Sequence, residues 1–271
     1  MSSRSVDLNG GKFQMEVVDS GSGDPLLYLH GIAAKQEDGF LAELATNHRV
    51  IAPRIPGFGG STGSEHLSDI HDLVYLYLDL LDELELRNLP IVGHSLGGML
   101  AAELAAVQPE RFSNIVLIGS LGLWDPEHPV LDFFSVPPTE FAAAMYADQE
   151  SEAALAIATA PQAKLPEVDP ETDEGKEIID YYVERAKSMS TAAKYLWPIP
   201  NKGLSKRLHR VTQPTLLIWG DGDGICPPVY ADHFGAALSN ASKEIVAGAA
   251  HMAHVEKPGK VAASINKFLS A

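Results

Sequence analysis

Short, wholly apolar runs alternate along this chain with longer stretches whose apolar residues recur at helical spacing. Positions 13–18 alternate in the manner of a strand, and Gly21-Ser22-Gly23-Asp24-Pro25 reads as the turn after it. Leu26-Leu27-Tyr28-Leu29 is a continuous apolar run ending at His30-Gly31, the pattern of a strand buried on both faces. Positions 40–45 are helical in pattern, Arg49-Val50-Ile51-Ala52 is a further strand, and a loop rich in proline and glycine spans 53–63. Leucines and tyrosines at helical spacing predict a helix over 67–86, with Ser68 or Asp69 available as its cap. Strands are predicted at 89–92, 114–118, 214–219 and 243–246, and a last helix at 258–269. This alternation predicts an α/β fold, a mostly parallel twisted sheet with helices on both faces.

The rhythm breaks at Trp124. Residues 124–204 carry helical patterns and many prolines, Pro161 and Pro166 among them, but no clear strand. The expected organisation is a core made of residues 1–123 and 205–271, with 124–204 inserted as a helical layer over the ligand edge of the sheet. A chain of 271 residues is long enough for one such domain with its insertion. The acidic residues crowding 150–184 and the basic ones over 185–210 read as solvated faces that neutralise each other.

Composition narrows the possible partners. A formal charge of −16 argues against nucleic acid and against an anionic membrane surface, which leaves a small molecule as the expected partner. The single cysteine, Cys226, forms no intramolecular disulfide and reads as a small hydrophobe beside Pro227. The start of the chain lacks the apolar run of a signal peptide, and no stretch approaches the roughly 20 apolar residues of a membrane span. The expected location is cytoplasmic.

Chemistry concentrates at Gly93-His94-Ser95-Leu96-Gly97, which joins the apolar run 89–92 to a helical stretch beginning at Gly98. A serine at the apex of a sharp strand-to-helix turn presents its hydroxyl to solvent, and glycines two residues either side let strand and helix pass closely. The unpaired N–H groups at the start of the helix suit a developing oxyanion. Such a serine needs a base and an acid, in the chain order acid then histidine, on loops at strand ends. The run ending at Trp219-Gly220 leads to Asp221-Gly222-Asp223, and the last strand leads to His251-Met252-Ala253-His254, so each position has two candidates.

With these motifs the chain resembles the α/β-hydrolase superfamily, of the serine-nucleophile type with a helical cap, over roughly residues 11–122 and 211–270. The resemblance implies Ser95 as nucleophile, Asp223 as acid and His251 as base, with Asp221 a loop carboxylate and His254 a packed or hydrogen-bonded neighbour. It implies an oxyanion hole made by the backbone N–H groups of Ile32, next to His30-Gly31, and Leu96. His30 is then structural, and His94 packs beside the turn. Relatives that open epoxides or remove halides carry aspartate where this chain has Ser95, and the epoxide type has proline soon after His-Gly, where this chain reads Ile32-Ala33-Ala34. Arg54 stands where aspartate is frequent in the family.

The implied chemistry is acyl transfer to water with no metal and no organic cofactor. Trp124, Phe134, Met145 and Trp197 are the expected lining of an apolar pocket. The leading expectation is hydrolysis of small to medium apolar carboxylic esters. Cleavage of carbon–carbon bonds in vinylogous diketones, or of lactones, would use the same three residues, and Arg185, Lys187 or Lys194 could meet a substrate carboxylate. A ligand receptor on this fold with a slow triad is the alternative outside enzymes.

Overall fold

The computed structural model describes residues 2–33, 37–159 and 168–271; Ala34, Pro161 and Pro166 lie outside them. Eight strands form one sheet: β1 (Ser2–Leu8), β2 (Phe13–Ser20), β3 (Pro25–Leu29), β4 (Arg49–Pro53), β5 (Leu89–His94), β6 (Phe112–Ile118), β7 (Thr215–Gly220) and β8 (Ala241–Val246). The helices are α1 (Asp38–Leu44), α2 (Ile70–Glu83), α3 (Leu96–Val107), α4 (Pro138–Met145), α5 (Glu152–Ala158), α6 (Asp173–Leu196), α7 (Val229–Ala237), α8 (Ala253–Glu256) and α9 (Pro258–Leu269).

The strand order is β1-β2-β4-β3-β5-β6-β7-β8. β1 and β2 pair antiparallel, and every pairing from β4 to β8 is parallel. The order reverses at β3: the chain runs outwards to β4, then returns across β3 to lay β5 on its other side. A crevice opens at the carboxyl ends of strands at such a switch point. Both His30-Gly31 and Ser95 emerge there, one after β3 and the other after β5.

Parallel strands covered on both faces need two apolar layers. One is built from Leu27, Leu29, Ile91, Ile115 and Leu117 against α2 and α3, and the other from Leu26, Tyr28, Val92, Val116 and Ile218 against α1 and α9. Adjacent residues of each strand therefore enter different cores, as the pleat requires. Asp69 caps α2, its carboxylate accepting from the backbone N–H groups of His71 and Asp72. That satisfies two of the four orphan donors of the first turn.

Between β6 and β7 the chain leaves the sheet for α4, α5 and α6. Where it returns, Arg207 holds the buried Glu103 of α3 through two hydrogen bonds of 2.7 and 2.6 Å. Among the described residues, no helix is long and apolar enough to cross a membrane.

Candidate active site

Ser95 stands between β5 and α3 with φ 55° and ψ −114°, a backbone conformation that L-residues disfavour by about 1–3 kcal/mol. Its neighbours hold it there. The Ser95 N–H donates to Ile118 O at 3.0 Å, and its own carbonyl accepts from Met99 and Leu121. The flanking glycines answer to close approach: a Cβ on Gly93 would lie 2.3 Å from Gly97 O, and one on Gly97 would lie 2.1 Å from Leu29 O. No side chain fits either position without moving the strand away from the helix.

Asp223 follows β7 and His251 follows β8, both buried. His251 Nδ1 and Asp223 Oδ2 are 2.9 Å apart, while Asp223 Oδ1 accepts from the backbone N–H groups of Ile225 and Cys226 at 3.0 and 2.9 Å. A carboxylate accepts only, so Nδ1 carries the hydrogen and Nε2 is left with a lone pair. The other aspartate, Asp221, accepts from the Gly248 N–H and shapes the loop instead. Ser95 and His251 line one small chamber of about 10 Å³ together with Ile32, Phe133, Phe141 and Met145. Leu96, buried, is the first residue of α3 and so offers its N–H from the unpaired end of a helix.

His30 shapes the loop that carries Ile32. Its Nε2 accepts from the Ile55 N–H at 3.0 Å and its Nδ1 contacts Gly31 O at 2.6 Å, which fixes the neutral tautomer with hydrogen on Nδ1. Burial lowers the His30 pKa to about 4, in agreement with a ring that has one donor and one acceptor duty. Arg54, nearly buried, pairs with Asp38 at 3.6 Å.

A cleft of about 790 Å³ continues outwards from the chamber, sharing Ile32, Ala33, Phe141 and Met145 with it. Its far wall is α6, with Tyr181, Arg185 and Met189 turned inwards. Of the four residues expected to line a pocket, Met145 does so. Trp124, Phe134 and Trp197 line neither cavity. Trp197 ends α6 with its ring 57% exposed, Trp124 is 36% exposed, and Phe134 stacks on Phe133, which takes the place at the chamber. Phe141, an aromatic residue of the same inserted segment, lines both spaces; aromaticity alone does not separate it from Trp197. Of the three cations considered for a substrate carboxylate, Arg185 reaches the cleft, Lys187 pairs with Glu184, and Lys194 donates to Ser64 O.

A second buried group lies behind the serine. The donor atoms of Glu37, His94 and His254 all fall within 4.8 Å of one another. Glu37, in the polar run before α1, carried no sequence signal that set it apart.

Comparison with known proteins agrees with this fold. The sequence profile of the alpha/beta hydrolase fold matches residues 24–258. The 2-hydroxymuconate semialdehyde hydrolase of Pseudomonas sp. (strain CF600) is 27% identical over 258 residues, 93% of this chain and 89% of that protein. The poly(3-hydroxyalkanoate) depolymerase of Ectopseudomonas oleovorans is 26% identical over 251 residues, 90% of this chain and 84% of the relative. Among solved structures, a serine hydrolase involved in carbazole degradation superposes with a TM-score of 0.76 at 20% identity, covering 99% of this chain and 98% of its own, a likeness of fold.

Proposed function

Since the chain belongs to the α/β-hydrolase family, we propose that it is a serine hydrolase that cleaves carboxylic esters of small to medium apolar substrates through an acyl-enzyme on Ser95. The observation that carries this reading is the His251–Asp223 contact of 2.9 Å at the same small chamber as a serine held at positive φ. Residues 124–204 act as a cap over that chamber.

The reaction follows from where protons and lone pairs sit. Ser95 Oγ attacks the ester carbonyl as His251 Nε2 takes its proton, and Asp223 stabilises the imidazolium that forms. The carbonyl oxygen becomes an oxyanion between the N–H groups of Ile32 and Leu96. Collapse breaks the C–O bond to the alcohol, and His251 returns the proton to that oxygen. Water then enters, gives its proton to His251, attacks the acyl carbon and releases the acid with Ser95 restored.

A second reading, cleavage of a carbon–carbon bond in a vinylogous diketone, is favoured by the similarity to the semialdehyde hydrolase. Charge at the cleft supports the ester. Two guanidinium groups, Arg54 and Arg185, line it against the carboxylates of Glu16, Glu177, Asp180 and Glu184. A lining with more carboxylates than cations disfavours an anionic substrate. The apolar chamber formed by Ile32, Phe133, Phe141 and Met145 suits a small acyl or alcohol group.

The test is turnover of p-nitrophenyl acetate and butyrate together with labelling by a fluorophosphonate. We expect both in the wild type and neither in Ser95→Ala, with rates down by about 10⁴-fold or more. Wild-type protein that neither turns over esters nor takes the label would refute the reading. A panel of esters, lactones and meta-cleavage diketones compared by kcat/KM then chooses among the chemistries.

A further inference from the structure

Acyl transfer as written leaves one buried carboxylate without a task. Glu37 stands at the entry to α1, wholly buried, and its Oε1 meets three groups. The Gly31 N–H donates to it at 3.3 Å, His94 Nδ1 lies 3.2 Å away, and His254 Nε2 lies 3.5 Å away. Gly31 belongs to the loop that presents Ile32. A Cβ on Gly31 would lie 2.7 Å from His94 Nδ1 and 3.2 Å from Ser95 Cβ, so loop, imidazole and serine are packed against one another. His94 continues the chain of contacts: its Nε2 lies 3.1 Å from the main-chain oxygen of His251. Three hydrogen bonds through one carboxylate and one imidazole therefore join the oxyanion loop to the backbone of the base, passing behind Ser95.

Two chemistries would suit these side chains, a metal ion or a hydrogen-bonded bracket. The rings of His94 and His254 overlap, with centroids 4.1 Å apart and planes tilted by 44°. Imidazoles that share a tetrahedral ion about 2.0–2.1 Å from each nitrogen splay around it instead of lying over each other. Protons are the better fit. His251 O and the Glu37 carboxylate are both acceptors, and His94 satisfies them together only with hydrogen on each nitrogen. Burial and the neighbouring His254 and His251 imidazoles push the His94 pKa down to about 3 against the pull of the Glu37 carboxylate, so the hydrogen between His94 Nδ1 and Glu37 Oε1 is shared by the pair. For Glu37, burial works against ionisation, but the imidazoles of His254 and His94 beside it outweigh burial and hold the carboxyl well below the usual carboxylate range.

We infer that Glu37 is a positioning residue: held by Gly31 on one side and His94 on the other, it sets the spacing between the oxyanion donors and His251 across Ser95. The inference rests on the hydrolase reading above and adds to it a residue that touches no substrate.

Two substitutions separate positioning from a purely structural role. Glu37→Gln keeps, in the place of Oε1, an amide oxygen that still accepts from the Gly31 N–H and from a hydrogen on His94 Nδ1, whereas Glu37→Leu keeps the volume and removes every hydrogen bond. Fluorophosphonate labelling counts the active sites, and kcat and KM for p-nitrophenyl butyrate are expressed per labelled site. In Glu37→Leu, kcat falls about 10- to 100-fold at unchanged KM, as for reacting groups displaced by about 1 Å, while Glu37→Gln stays within about threefold of wild type. His94→Phe, which keeps ring packing and cuts both links, carries the same expectation as Glu37→Leu and serves where that variant does not fold. Wild-type kcat per labelled site in the variant that folds, or a loss in Glu37→Gln equal to that in Glu37→Leu, overturns the inference. A wild type that takes no label overturns the hydrolase reading, and this one with it.

Discussion

Helices α3 and α6 border the proposed substrate site and are built on opposite terms. α3, which carries Ser95 at its start, is buried from Leu96 to Ala106, apolar all round but for Glu103. α6 is twice as long, yet only Gly175, Thr191, Ala192, Tyr195 and Leu196 are buried in it. Four of those five lie in its last two turns, where Thr191 packs against Gly57 of the loop after β4. The helix that carries the proposed nucleophile is thus fixed on every side, as the reading requires, since an error of 1 Å at a reacting atom costs about 10²-fold in rate. The α6 wall of the cleft is anchored chiefly at one end, and along the rest of it changes of side chain cost little packing.

The sharpest way to break this comparison is on the fixed side. In Asp223→Asn the side-chain oxygen stays with the Ile225 and Cys226 N–H groups, because only an acceptor fits there. The amide NH₂ then faces His251 Nδ1 and forces hydrogen onto Nε2, the nitrogen that must accept from Ser95. We expect kcat for p-nitrophenyl butyrate to fall about 10⁴-fold with the protein still folded by circular dichroism. A loss below tenfold would remove Asp223 from the mechanism.

The same contrast explains what could be read in advance. Strands β3 and β5 were legible because burial on both faces writes them as unbroken apolar runs, Leu26 to Leu29 and Leu89 to Val92 but for one proline. The serine turn was legible because close backbone approach admits only glycine at 93 and 97. β1 was missed, since an edge strand that buries only Val6 and Leu8 has almost no apolar signal. α7 was missed as well: its nine residues bury Tyr230, Ala231 and Phe234 but are interrupted by Asp232, His233 and Gly235. Glu37 was invisible for a different reason. A charged residue in a polar run reads as solvated, and only the tertiary fold brings His94 and His254 to it.

A second prediction probes the loop between the two regions. His30 has an ordinary pKa of 6.5 and one of about 4 here, so the folded protein holds it neutral where the unfolded chain is protonated. The stability this contributes is full above about pH 6.5 and is lost as pH falls towards 4, up to about 3 kcal/mol. Urea denaturation of wild type and His30→Gln at pH 7 and pH 4 isolates the group from others that titrate in this range. The wild type's advantage over the variant should shrink by roughly that amount at the lower pH. An advantage that does not change with pH would show that His30 is not held neutral.

The smallest effect sharpens the comparison from the adaptable side. Met145 is buried and borders both the chamber at Ser95 and the outer cleft, whereas Trp197, on the same inserted segment, turns its ring to solvent. Removing methylene volume from Met145 widens the passage between the two spaces, and one methylene in such a pocket is worth about 1–3 kcal/mol of discrimination. Met145→Val should therefore raise the kcat/KM ratio of p-nitrophenyl octanoate over butyrate by about 5- to 10-fold, the lower part of that range because the neighbours relax. Trp197→Ala should leave the ratio unchanged and stability within about 0.5 kcal/mol, since an exposed ring gives up no packing. If Trp197→Ala shifted the ratio as far as Met145→Val, the inserted helices would reach the substrate from the face now turned to solvent. The passage at Met145 would then not be what selects the chain length.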